Sequence, residues 1–241
     1  MDIVYLVKED HENDSEELRC SLRSLKNIPH GKVFIVGEKP AWVKNVGYIA
    51  VEQSRTKNEN VGNNMKAAVW SEAISDDFIL MNDDFFFMKP VANMPTLNFG
   101  LMRNVIEDYN GRYPEGSDYI ANMTHLYDEL RRRGIDEPLS FELHMPMMLN
   151  RKKVQQLYEK VTDRLYQFRS FYGNYFGIQG ETIPDVKIFL DDDHNAVEYK
   201  NNPDAYLKSQ TFLSATGGSF KKGRAGEFIR SAFPEKSDYE V

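Results

Sequence analysis

Apolar and polar positions follow two periods along the first ninety residues. Ile3 to Val7 is a continuous apolar run rich in β-branched residues and predicts a strand. Asp14 and Ser15 then offer N-caps for a helix whose apolar face carries Leu18, Leu22 and Leu25. Lys32 to Gly37 predicts a second strand and Tyr48 to Val51 a short third one. A helix predicted from Asn63 to Ala73 leads into a further strand, Phe78 to Met81. Strands alternating with helices imply right-handed βαβ units and a mostly parallel sheet, so the predicted class is α/β.

After Asn93 the punctuation changes. Pro95, Gly100, Gly111, Pro114 and Gly116 predict turns and an irregular excursion across the sheet edge as far as Asp118. A charged helix follows from Asp118 to Arg133, stopped by Gly134. Phe141 to Leu149 is apolar around His144, and helices are predicted over Arg151 to Tyr158 and Tyr166 to Phe176. Lys187 to Leu190 and Thr211 to Ala215 read as late strands, and Arg224 to Ala232 as a closing helix.

Composition narrows the class. Of the 241 residues 41% are hydrophobic and 12% aromatic, enough for a proper core, and the length predicts one large domain or one domain with an insertion. Mean hydropathy is -0.56, no apolar run reaches membrane-span length, and Met1-Asp2-Ile3 leads straight into a strand rather than a secretory segment. The expectation is a soluble, cytoplasmic protein with no integral membrane segment. A single cysteine, Cys20, excludes an internal disulfide and a cysteine-based zinc site, and its place in an amphipathic helix suggests a buried structural thiol. The net charge of -7 argues against a surface that grips nucleic acid as a whole. Lys221, Lys222, Arg224 and Arg230 leave a local basic patch open, as they do a solvated helix face.

The run from Phe78 to Phe87 carries the clearest chemistry. An apolar strand ends in Asn82-Asp83-Asp84, and an aromatic block follows at once. In a parallel α/β sheet, strand carboxyl ends face the ligand crevice. Two hard oxygen ligands there suit Mg²⁺ or Mn²⁺ holding a diphosphate, although a polar turn alone produces the same pattern. Asp84 is the first choice for direct coordination, Asp83 for coordination or orientation of sugar hydroxyls, and Asn82 for a contact at the same rim. A second acidic run, Asp191-Asp192-Asp193-His194, fits another ligand, a general base or a solvated turn. His144, between apolar neighbours and ahead of Pro146, is either a satisfied core residue or a base or phosphate partner. Arg169 presents a cation among aromatics, and Arg19 and Arg23 lie four apart on one helix, facing phosphate or solvent. Arg131 to Arg133 could hold phosphate, but they also suit the carboxyl end of their helix, which is the reading favoured.

These segments, taken in order, resemble the Stealth family of sugar-phosphate transferases, which is related to the lysosomal-enzyme N-acetylglucosamine phosphotransferase. The resemblance rests on Glu17 to Leu25, Val33 to Gly37, Pro40-Ala41-Trp42, Phe78 to Asp84 with Phe86, Phe87, Pro90 and Val91, His144-Met145-Pro146, Phe168-Arg169-Ser170 and Phe233 to Glu240. It spans nearly the whole chain. It implies a GT-A-like, Rossmann-like domain over residues 1–241, in which 1–92 bind the nucleotide sugar and 93–241 form the acceptor half and closing helices. The metal would sit at Asp83 and Asp84, the donor would be a nucleotide-diphosphate sugar, UDP-linked in the first instance, and His144 and Arg169 would join the active site. Arg19 becomes a donor-site wall residue or a helix-packing one. Two segments differ from the family's pattern. Leu6-Val7-Lys8-Glu9-Asp10 replaces a Trp-Val-Asp-Gly type turn, and Ser214-Ala215-Thr216-Gly217 replaces a segment with an Asn-Asp pair.

The expected reaction is transfer of a sugar or sugar phosphate to an acceptor hydroxyl. The acceptor is a glycan or, alternatively, a hydroxymethylated base in DNA, touched by the Lys221 to Arg230 segment. A third possibility is a binding module of the same fold without turnover, favoured by the missing Asn-Asp pair and opposed by Asp83, Asp84, His144 and Arg169 together.

Overall fold

A computed structural model of the chain describes residues 1–8, 14–54, 56–112, 114, 116–160, 167–191 and 194–241. The centre of the main sheet is β1 (Asp2–Val7), buried along its length beyond Asp2. It pairs in parallel with β2 (Val33–Gly37) on one side and β4 (Asp77–Met81) on the other. β3 (Gly47–Ala50) extends the sheet beyond β2, and β7 (Met147–Asn150) closes the far edge antiparallel to β4, giving the order β3-β2-β1-β4-β7. The unbroken apolar runs of β1, β2 and β4 are those of strands covered on both faces. α1 (Glu16–Ser24) and α2 (Lys57–Trp70) supply the crossovers.

The chain forms two compact units. The first comprises Met1–Met94, His144–Lys153 and Val186–Val241. Besides the main sheet it contains a second one of order β5-β10-β9, made of β5 (Phe85–Phe87), β10 (Phe212–Ala215) and β9 (Lys187–Ile188). Helices α7 (Val197–Asn201), α8 (Pro203–Ser209), α9 (Gly217–Lys222) and α10 (Arg224–Ala232) accompany it. Phe86, Ile188, Leu213, Phe220 and Ile229 form its core, together with Cys20, whose thiol is pushed up to about 11 by burial.

The second unit comprises Pro95–Leu143 and Val154–Asp185. β6 (Leu97–Asn98) pairs in parallel with β8 (Glu181–Thr182), and α3 (Met102–Asn110) packs on α4 (Asp118–Arg132). α4 also meets α6 (Phe168–Tyr175), and α5 (Arg151–Lys160) begins in the first unit and runs into the second. Among the described residues no helix is long and apolar enough to cross a membrane.

The predicted α/β class, with a mostly parallel sheet and an irregular, helical insertion after the acidic strand, is the one observed. Several elements differ from expectation. α3 lies inside the segment read as irregular, because Gly100 and Gly111 flank a helix rather than break one, and Met102, Val105 and Tyr109 form its buried stripe. α2 begins at Lys57 rather than Asn63, since Thr56 Oγ1 accepts the Glu59 amide and caps the helix there. Ser15, one of the two predicted N-caps, stands at the cap position of α1 with left-handed backbone, φ 50°, and makes no side-chain cap bond. β9 is only two residues long. Glu9, Asp10, Tyr166, Asp192 and Asp193 lie outside the described residues.

Candidate active site

The parallel strands deliver their carboxyl ends to one edge, with Val7 beside Gly37 and Tyr5 beside Met81. β4 ends there, and Asn82-Asp83-Asp84 turns the chain into the second sheet, closed by the Phe85 amide donating to the Asn82 carbonyl at 3.3 Å. All three turn residues are half-buried. The exit of the turn is anchored hard. Phe85, Phe86 and Phe87 are at most 1% exposed, and Phe86 stacks on Phe220 with ring centroids 5.9 Å apart.

α1 and the 3-10 turn that follows it (Leu25–Asn27) fix the backbone behind the acidic turn. Ser21 Oγ donates to the Phe85 carbonyl at 2.5 Å and lies 2.9 Å from the Tyr5 hydroxyl. Ser24 Oγ accepts the Phe87 amide at 3.1 Å, and Asn27 Nδ2 donates to the Phe87 carbonyl at 2.7 Å. The Tyr5 phenol is raised far above its ordinary range by burial, so it stays protonated as a fixed hydrogen-bonding group.

Asp84 reaches into the second sheet. Its Oδ2 accepts from Lys187 Nζ at 2.9 Å and from Ser214 Oγ at 3.1 Å. Neither partner is legible as a site residue in the sequence, where Lys187 opens a short strand and Ser214 stands at the departure from the Asn-Asp pattern. A carboxyl group offers about four lone-pair positions, and a metal-ligating carboxylate is ordinarily hydrogen-bonded as well. The turn would therefore offer a hard divalent ion one or two protein oxygens, with the Lys187 ammonium competing for the Asp84 carboxylate. Among the described residues no group of three or more His, Cys, Asp or Glu could hold a metal, so substrate oxygens and water would complete its shell.

His144 is half-buried and precedes β7. β7 runs antiparallel to β4 with Met147 opposite Leu80, so the His144-Met145-Pro146 segment enters the sheet at the carboxyl end of β4, the end that bears the acidic turn. Arg169 belongs to the second unit and is 7% exposed. Its NH1 donates at 3.0 Å to the carbonyl of Leu143, the residue preceding His144 in the chain. Around it, the Ser170 amide donates to Glu142 Oε1 at 2.9 Å and Ser170 Oγ accepts the Phe141 amide at 2.9 Å. Arg169 and Ser170 thus hold the stretch from Phe141 to Leu143.

Arg19 lies in a different cluster. Its guanidinium sits 3.9 Å from the Trp42 ring centroid, 2.5 Å from Asp14 Oδ2 and 3.6 Å from Glu240 Oε2. Arg23 forks onto Glu240 through contacts of 2.8 and 2.7 Å. Burial alone would raise the Glu240 carboxyl, but the Arg23 fork and the Ser237 amide and hydroxyl outweigh it and bring it down to about 2. The segments around Arg19, Trp42 and Glu240, far apart in sequence, meet here.

The second acidic run is described only at its ends. Asn195 Oδ1 accepts the Phe189 amide at 2.8 Å while Nδ2 donates to the Phe189 and Asp191 carbonyls, and the His194 ring packs 5.3 Å from that of Phe189. Of the basic segment, Lys221, Lys222 and Arg224 are exposed on α9 and α10, and Arg230 donates to the Phe220 carbonyl at 2.7 Å.

No protein-family model matches the chain, and no curated protein matches it. Among solved structures it is similar to an active-site mutant of LgtC, with a TM-score of 0.50 and 12% identity over 99% of this chain and 98% of that one. Galactosyltransferase LgtC with donor and acceptor sugar analogs gives 0.49 and 10% over 99% and 98%. Mouse xyloside xylosyltransferase 1 in its apo form gives 0.39 and 12% over 90% and 99%. The likeness to the LgtC mutant is one of fold, that of the GT-A glycosyltransferases.

Proposed function

We propose that the protein is a metal-dependent transferase that moves a sugar or sugar phosphate from a nucleotide-diphosphate sugar to an acceptor hydroxyl. The observation that carries this reading is the Asn82-Asp83-Asp84 turn at the carboxyl end of β4, in a GT-A-like sheet, with the His144 segment entering at the same end. Asp84 and Asp83 hold Mg²⁺ or Mn²⁺, and Asn82 borders the donor. The bound ion supplies Lewis acidity to the leaving phosphate. His144 takes the acceptor proton or contacts a phosphate oxygen. Arg19 is a packing residue of α1, with Asp14, Trp42 and Glu240 fixing its guanidinium away from the acidic turn.

Two outcomes share this machinery. In glycosyl transfer the acceptor oxygen bonds to the anomeric carbon, and the bond from that carbon to phosphate oxygen breaks toward a nucleoside diphosphate. In sugar-phosphate transfer the oxygen bonds to the phosphorus nearer the sugar, and the phosphoanhydride breaks toward a nucleoside monophosphate. The fold favours the first, since the LgtC likeness is to a GT-A glycosyltransferase. The ordered resemblance to the Stealth family favours the second.

The test is incubation with a panel of UDP-, GDP- and CDP-sugars and Mn²⁺, with mass detection of the released nucleotide. A monophosphate assigns sugar-phosphate transfer and a diphosphate assigns glycosyl transfer. No metal-stimulated release from any donor, with or without simple sugar acceptors, contradicts the proposal.

A further inference from the structure

Asp84 is held from two strands at once. Lys187 on β9 and Ser214 on β10 are register partners in the parallel pair, and Ser214 is also the antiparallel partner of Phe85. The acidic turn ends one residue before Phe85, so its carboxylate meets that row, and both donors converge on the same oxygen, Oδ2. The Lys187 and Asp84 side chains are only 14% and 15% exposed, so their attraction is weakly screened.

A serine alone would fix the rotamer of Asp84. The lysine does more, because its ammonium occupies the carboxylate that a divalent ion needs and presents that ion with a like charge. A diphosphate arriving with the ion changes the balance. It brings oxygen ligands, and its negative charge turns the ammonium from a competitor into a partner. We infer that Lys187 is a positioning residue that makes divalent-ion binding at Asp83 and Asp84 conditional on the donor diphosphate, an inference that rests on the metal-diphosphate reading of the turn. Coupling of this kind is reciprocal, so the ion raises diphosphate affinity by the same factor.

Protein-bound Mn²⁺ is read by the enhancement of water-proton relaxation, which separates it from Mn²⁺ held by nucleotide in solution. The wild type and Lys187→Met are titrated with Mn²⁺ alone and with Mn²⁺ plus UDP or GDP, and their thermal melts are recorded in parallel. Lys187→Gln, which keeps a donor for Asp84, replaces the methionine variant should that fail to fold. The expected result is weak Mn²⁺ binding by the wild type, strengthened about tenfold or more by a nucleoside diphosphate. The neutral variant binds Mn²⁺ alone about tenfold more tightly than the wild type and loses most of the nucleotide dependence. Lys187→Arg, which retains the charge, behaves as the wild type. A neutral variant that melts lower but binds Mn²⁺ alone no more tightly than the wild type overturns the inference and leaves Lys187 a structural residue. Folded wild-type and variant proteins that bind no Mn²⁺ under any condition overturn the metal reading of the turn itself.

Discussion

Ser21 is fully buried, and its hydroxyl serves both the Tyr5 phenol and the Phe85 carbonyl. Truncation to alanine leaves those two groups short of a partner in dry surroundings, each a penalty on the order of 1–3 kcal/mol. Ser21→Ala is therefore expected to lose about 2 kcal/mol of stability in urea denaturation, and a loss below about 0.5 kcal/mol would mean the hydroxyl anchors little. In sequence Ser21 and Ser24 are helix residues like any others; only the apolar spacing of Leu18, Leu22 and Leu25 marks the buried face. Asp83 and Asp84 are legible because a strand ends on them. Lys187 and Ser214 are not, because their approach to Asp84 comes from pairing between segments 103 and 130 residues away.

At the scale of elements, the closing segment acts as a clip. The Val241 amide donates to the Trp42 carbonyl, the Lys44 amide to the Tyr239 carbonyl, and Arg23 on α1 grips the buried Glu240. The folded carboxyl titrates near 2 against an ordinary 4.5, so the stability it supplies is complete above the ordinary value and is lost as the pH falls toward 2. Glu240→Gln should unfold more easily than the wild type at pH 7 by about 2 kcal/mol, with the difference closing between pH 4.5 and 2.5. Denaturation of both proteins across that range checks it, and a gap independent of pH would show that Glu240 does not act through its charge. Strands with unbroken apolar runs are readable from sequence, as β1, β2 and β4 are. α3 is not, when glycines are counted as breakers without asking whether a periodic stripe lies between them. Nor is the antiparallel direction of β7, which depends on how the chain returns to the sheet after the inserted segment.

Across the whole molecule, the alternation of strands and helices in the first ninety residues specifies an α/β sheet, and the sheet gathers its strand ends at one edge. That edge is where a GT-A-like fold and an acidic turn coincide, and where the turn leads into the aromatic strand β5, hydrogen-bonded to α1. The central claim is that this turn holds the metal-bound donor diphosphate. Asp84→Asn keeps one side-chain oxygen to which Lys187 and Ser214 can donate while removing the charge. The decisive measurement is the rate of nucleotide release from the preferred donor in Mn²⁺ for the wild type and for a folded Asp84→Asn protein. The account predicts a fall of about 100-fold or more, with the wild type reduced similarly by chelation of the metal. Undiminished release by the folded variant would contradict it.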